Sequence, residues 1–173
     1  VSDIRIERTA RYHGDDAPAL RAEVVDGALH LAASCRRCSV DHLVVLPHSA
    51  PVLAETEAGN LGFRHLASPL RGATGAGNIE LSDHDSEADL STNAGNVALS
   101  EVIGDLFVES SAGNIVGDLL EGEWIDVHTD AGNVDLELSA MPMQVVLGSQ
   151  AGNIDLDLPT GIYNIEAWTS AGR

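Results

Sequence analysis

Ser110-Ser111-Ala112-Gly113-Asn114-Ile115 contains one of six Ala-Gly-Asn tripeptides in this chain. The others begin at Ala58, Ala76, Ala94, Ala131 and Ala151, and Ala171-Gly172-Arg173 opens a seventh copy. Successive copies lie 18, 18, 18, 19, 20 and 20 residues apart. A short motif returning at nearly constant spacing marks one small supersecondary unit stacked on copies of itself. Two residues before each Ala stands a small hydroxyl side chain: Thr56, Thr74, Thr92, Ser110, Thr129, Ser149 and Thr169.

Apolar residues flank the motif at every second position. Leu106 and Val108, Ile125 and Val127, and Val145 and Leu147 precede it; Ile79 and Leu81, Val97 and Leu99, Val134 and Leu136, and Ile154 and Leu156 follow it. Period 2 places alternate side chains on one face of a strand. The expected fold is therefore all-β, a β-solenoid of about six two-strand repeats of 18 to 20 residues. Within the punctuation, Ala is expected to point inward at a tight corner, Gly to reach positive φ, and Asn to tolerate the left-handed region. Stacked copies of Asn60, Asn78, Asn96, Asn114, Asn133 and Asn153 are expected to form a ladder of side-chain amides.

Residues 1–57 lack the motif and read as an N-terminal cap and entry strands, continuous with the Ala-Gly-Asn stack of residues 58–173. Here Asp3 to Arg8 alternates as a strand, and Arg21 to Val25 and Ala28 to Ala32 flank Asp26-Gly27 as a hairpin. His42 to Leu46 and Val52 to Thr56 continue the β pattern on either side of a breaker, Pro47 to Pro51. The chain opens at Val1 and stops inside a repeat at Arg173, which suggests an excised part of a longer protein.

Composition supports a thin aliphatic core, since aromatic residues make up only 3% of the 173 residues. The charge is unevenly spread. Up to residue 71 there are eight arginines against nine acidic residues; from residue 72 onward there is one against eighteen, balances of −1 and −17 that make up the net charge of −18. Such a surface repels nucleic-acid phosphate and anionic lipid and favours cationic partners. No run of residues is apolar enough to cross a bilayer, so a membrane enters only through segments outside this chain.

Asp135, Glu137, Asp155 and Asp157 occupy equivalent outward columns in neighbouring repeats, with Glu80 and Asp118 earlier in the same columns. Coils about 4.8 Å apart would gather these four carboxylates on one face, either hydrated or holding a hard cation such as calcium. The Gly-Gly-x-Gly-x-Asp turn of the calcium β-roll does not occur. No other cofactor is implied. Cys35 and Cys38 are read first as a local disulfide in an oxidising compartment, then as free thiols, and last as half of a zinc site with His30 and His42.

Catalytic signals are sparse. Gly72-Ala73-Thr74-Gly75-Ala76-Gly77 lacks the lysine and helix of a phosphate loop, and His84 between Asp83 and Asp85 reads as part of a hydrated loop linking strands. A carbohydrate-active β-helix enzyme would need paired carboxylates in a groove lined by Trp124 or Trp168. The chain is read as non-enzymatic, with that enzyme as the alternative.

With their hydrophobic entry strand near His42 to Leu46, segments such as Thr92-Asn93-Ala94-Gly95-Asn96-Val97-Ala98-Leu99 resemble the bacterial adhesin or toast-rack family of β-strand repeat domains. The similarity spans about residues 1 to 173. The resemblance implies a non-enzymatic β-solenoid at the cell envelope, extracytoplasmic and tethered by a segment outside this chain, with the cytoplasmic face as the alternative. Its partner is expected to be a protein or cationic ligand, or a second copy meeting it through open strand edges.

Overall fold

The computed structural model describes residues 4–13, 17–25, 28–34 and 38–173. Their regular secondary structure is all strand, with no helix among them. Two compact units divide at Pro47 and His48.

In the first unit, β1 (Arg5–Tyr12) pairs antiparallel with β4 (Cys38–Val45), and β2 (Ala19–Val25) pairs antiparallel with β3 (Ala28–Ser34). Val25 faces Ala28 across the expected hairpin, whose Asp26-Gly27 turn lies outside the described residues.

The second unit is the β-solenoid. Its strands are β5 (Val52–Ala58), β6 (Leu61–Leu66), β7 (Leu70–Ala76), β8 (Ile79–Asp85), β9 (Ala88–Ala94), β10 (Val97–Ile103) and β11 (Leu106–Ala112). They continue as β12 (Ile115–Glu121), β13 (Trp124–Ala131), β14 (Val134–Leu138), β15 (Gln144–Ala151), β16 (Ile154–Asp157) and β17 (Ile165–Ala171). Odd-numbered strands from β5 to β17 form one seven-stranded parallel sheet and even-numbered strands from β6 to β16 form a six-stranded one. Each coil thus contributes one strand to each sheet. Motif-bearing strands stack in strict register, so that Ala58, Ala76, Ala94, Ala112, Ala131, Ala151 and Ala171 are successive partners.

Side chains alternate inward and outward as the period predicts, and the inward ones form aliphatic columns between the two sheets. Leu70, Ala88, Leu106, Ile125 and Val145 make one such buried column, and Ile79, Val97, Ile115 and Val134 another. Where a column breaks, its neighbours compensate. A Cβ on Gly72 would fall 2.9 Å from the Phe63 ring, so the glycine makes room for the core's one aromatic side chain.

Three local expectations are corrected. Ala of the motif is exposed; the inward residue at the corner is the Thr or Ser two positions earlier, as in Thr74, Thr92, Ser110, Thr129 and Ser149. None of the six Asn residues has positive φ. The left-handed non-glycine residues are His65, Asp83, Glu101 and Leu119, with φ of 56°, 51°, 54° and 54°, each the fifth residue after an Asn and within an even-numbered strand. His84 is no loop residue: it lies in β8, 1% exposed, its Nε2 3.2 Å from the Glu87 carbonyl oxygen. The left-handed turn at Asp83 rotates His84 into the core, in the column that holds Leu66 and Val102.

Candidate functional site

The Ala-Gly-Asn corner is held by two ladders running along the stack. In one, each Asn side-chain carbonyl accepts the backbone N–H of the Asn one coil on. Asn78 donates to Asn60 Oδ1 at 2.9 Å, Asn96 to Asn78 at 2.8 Å, Asn114 to Asn96 at 2.8 Å, Asn133 to Asn114 at 2.8 Å and Asn153 to Asn133 at 2.9 Å. Arg173 N–H closes the series on Asn153 Oδ1 at 3.2 Å. The ladder therefore joins side chain to backbone, because a backbone donor at every rung is in line with the amide oxygen of the rung before.

In the other ladder the inward hydroxyls of Thr74, Thr92, Thr129, Ser149 and Thr169 donate to the glycine carbonyl of the preceding coil at 2.9–3.0 Å, and Ser110 does so at 3.4 Å. Glycine is needed between the two ladders for space. A Cβ at Gly95, Gly113, Gly132 or Gly152 would lie 1.9–2.0 Å from the carbonyl oxygen of the glycine beneath. These columns make the corner a rigid spine and leave the two outer sheet faces to meet solvent and partners.

On the outer face of the six-stranded sheet, Asp135 pairs with Asp155 and Glu137 with Asp157 between β14 and β16, and all four are exposed. Glu80 shares the Asp135 column but is separated from it by Ala98 and Val116, and the register shifts after Gly117, where Asp118 follows. Among the described residues no three His, Cys, Asp or Glu side chains converge as a metal site would require.

The same sheet carries a mixed-charge column at the left-handed residues. His65 Nδ1 lies 3.1 Å from Asp83 Oδ2, and Asp83 in turn shares a hydrogen bond with Glu101. That hydrogen bond, then the Asp83 charge, then desolvation and lastly the Asp118 charge hold the Glu101 carboxyl above its usual range. Ser100 Oγ donates to Asp118 Oδ2 at 3.0 Å.

The outer face of the seven-stranded sheet differs in chemistry. Towards β5 and β7 it has a shallow depression of about 390 Å³ over Ala73 and Gly75, edged by Glu55, Glu57, Ser91 and Asn93. Towards β17 it carries Phe107, Trp124 and Trp168, between 40 and 46% exposed. Carboxylates Glu109, Asp126, Asp130 and Glu166 stand among them at the same outward parity. His128 Nε2 is 2.6 Å from Asp126 Oδ1, an ion pair when His128 is protonated.

Gly148 lies between His128 and Trp168 in register. A Cβ there would meet His128 Nδ1 at 2.3 Å and Trp168 Cζ2 at 2.6 Å, so both rings close over bare backbone. Their centroids are 6.0 Å apart at 35°. The sequence marked Trp124 and Trp168 only as possible walls of a groove; the structure puts them on an open sheet face beside Asp126 and Glu166. Gly148 was the missed signal, an outward glycine amid larger residues.

In the first unit, Cys35 lies outside the described residues, and Cys38 opens β4 opposite Tyr12. Of the histidines weighed beside the cysteines, His42 pairs with Arg8 and His30 with Glu23. Burial, and then the Arg8 guanidinium, hold His42 below its ordinary pKa, against the pull of Asp41.

Comparison of the chain with protein-family profiles, with curated proteins and with solved structures returns no match.

Proposed function

We propose that the stack is a non-enzymatic binding or scaffolding module of the bacterial cell envelope, resembling adhesin-like toast-rack domains, which offers a stiff acidic surface to a protein or cationic partner. One observation carries the reading: the seven-coil spine fixes two outer faces whose ionisable side chains from residue 72 onward are overwhelmingly carboxylates. A field of that sign attracts cations and repels polyanions. Strand spacing set by backbone hydrogen bonds keeps the charges in place without the entropy cost of ordering a loop. In this reading the carboxylates at Asp135, Glu137, Asp155 and Asp157 stay hydrated, and calcium binding there is the alternative.

The test is retention on immobilised polyarginine and on heparin, with salt varied, alongside fractionation of cells producing the full-length protein. The module reading expects retention on polyarginine alone, weakening with salt, and recovery with the envelope. Recovery wholly in the soluble cytoplasm would remove the envelope assignment. A second reading, a carbohydrate-active enzyme, draws on Trp124 and Trp168 beside Asp126 and Glu166. Release of reducing sugar from a polysaccharide panel, abolished by Asp126→Asn or Glu166→Gln, would replace the module with that enzyme.

A further inference from the structure

Both tryptophans and one of the two phenylalanines of the chain lie on one outer face, across β11, β13 and β17. Each ring leaves 40 to 46% of its residue in water. An aromatic residue is ordinarily drawn inward, so three exposed on one face of a chain with six aromatics form a localised feature.

The surrounding chemistry limits the occupant. In the Phe107 column, Asp89, which Arg71 engages at 3.5 Å, and Asp126 flank the ring, and Val146 and Glu166 follow. In the next column, Glu109 precedes His128, Gly148 and Trp168. Asp130 accepts a hydrogen bond from Gln150 at the far edge. The only basic side chain at an outward position of β11, β13, β15 or β17 is His128, which Asp126 engages. Rings with a negative π-face set among carboxylates suit ammonium and guanidinium groups, through cation–π stacking and ion pairing together.

The Trp168 ring is also preorganised. Gly148 lets it lean towards His128 over bare backbone, which reduces the rotamer freedom that a ligand would have to freeze. Trp124 pairs with Gln144 on β15, and Trp168 pairs with Gly148 four residues further along that strand. With two interstrand steps between them, the two tryptophans are on the order of 16 Å apart, about five residues of extended chain.

Resting on the reading of the stack as a binding module, we propose that this strip, with Trp124, Trp168 and Phe107 as aromatic platforms and Glu109, Asp126 and Glu166 as counter-charges, docks a basic polypeptide segment. The segment presents lysine or arginine side chains at an even spacing of about four to six residues, so that in extended conformation both face the strip. An uncharged oligosaccharide would use the rings and leave the carboxylates idle, whereas the basic segment uses both.

The test is tryptophan fluorescence titration of the intact chain with an extended peptide of about a dozen residues carrying arginines about four or about six residues apart, on one face, against the same peptide with citrulline in place of arginine. The expected result is saturable change with the arginine peptide alone, suppressed by salt. Trp124→Ala should weaken binding about two- to five-fold, and Asp126→Asn with Glu166→Gln about five-fold. Circular dichroism and thermal melting confirm that each variant still folds. The control is Asp155→Asn with Asp157→Asn on the other sheet, which should leave affinity within about two-fold.

If the two carboxylate pairs weaken binding equally, attraction is diffuse; the strip is then refuted while the acidic-module reading stands. Equal binding of the citrulline peptide, or salt-independent quenching by neutral oligosaccharides alone, overturns the strip as a basic-segment site. Failure of the arginine peptide to bind at all overturns the strip, while retention on polyarginine decides the cationic-partner reading separately.

Discussion

The two ends of each strand pair in the solenoid obey different rules. At the Ala-Gly-Asn corner, backbone stacks on backbone so closely that even one methyl group has no room, and six of the seven coils repeat the same three residues. At the other side of the coil the chain passes through His65, Asp83, Glu101 or Leu119 in the left-handed region and into connections that vary in length and composition. Identity is imposed where the neighbouring coil's main chain supplies the contact. Variation is tolerated where the side chain faces water. Non-glycine residues with φ near 50° carry strain of about 1 kcal/mol or more, which the paired strands on either side hold in place.

That contrast can be broken most directly at Gly113. Gly113→Ala would place its Cβ 1.9 Å from the Gly95 carbonyl oxygen, so the rungs must separate. The expected loss is about 3 kcal/mol or more, read by denaturant unfolding; a variant as stable as the parent would show that the spine is not close-packed there. Asn114→Ala removes the acceptor for the Asn133 N–H, and about 1 kcal/mol should be lost. Asn114→Asp keeps an acceptor and should recover part of it, which separates a hydrogen bond from mere side-chain bulk.

On the permissive side the sign should reverse. Leu119→Asn puts a residue suited to the left-handed region at φ 54° in place of an exposed leucine, and a gain of about 0.5 kcal/mol is expected in the same assay. The smallest effect is at Glu101. Its carboxyl is held above the usual value in the folded chain by Asp83, with Asp118 adding to it and His65 facing Asp83 from the neighbouring strand. A raised folded-state value means that the contribution is present below the ordinary carboxylate value and lost as pH rises through the folded one. Glu101→Gln should therefore flatten the pH dependence of the melting temperature between acid and neutral pH. An unchanged profile would show that Asp83 and Glu101 do not share a proton.

The same contrast explains what could be read from the sequence. The stacked sheets were legible because Leu106, Ile125 and Val145, or Ile79, Val97 and Ile115, each recur at one phase of the repeat. The corner's inner workings were less legible, because Ala-Gly-Asn also spells an ordinary turn. Nothing in three letters says that Asn114 offers its side chain to the next coil's backbone, or that Ala112 faces out while Ser110 faces in. The left-handed column was hidden by residues of four unlike kinds, none of them glycine or asparagine. His84 misled because its acidic neighbours point to solvent while it turns inward. On the candidate face, Trp124 and Trp168 were visible singly, but only strand register brings Trp168, Gly148 and His128 into one row.

The 19-residue repeat adds Trp124 at the start of β13 and the 20-residue repeats lengthen the connections after β14 and β16, never the glycine corner. The spine thus acts as a ruler with fixed graduations: such a protein can lengthen only by whole steps of about 4.8 Å, while its opposite margin is free to acquire loops of any size. Reach and decoration can therefore be altered independently, one by copying a coil and the other by editing its far side.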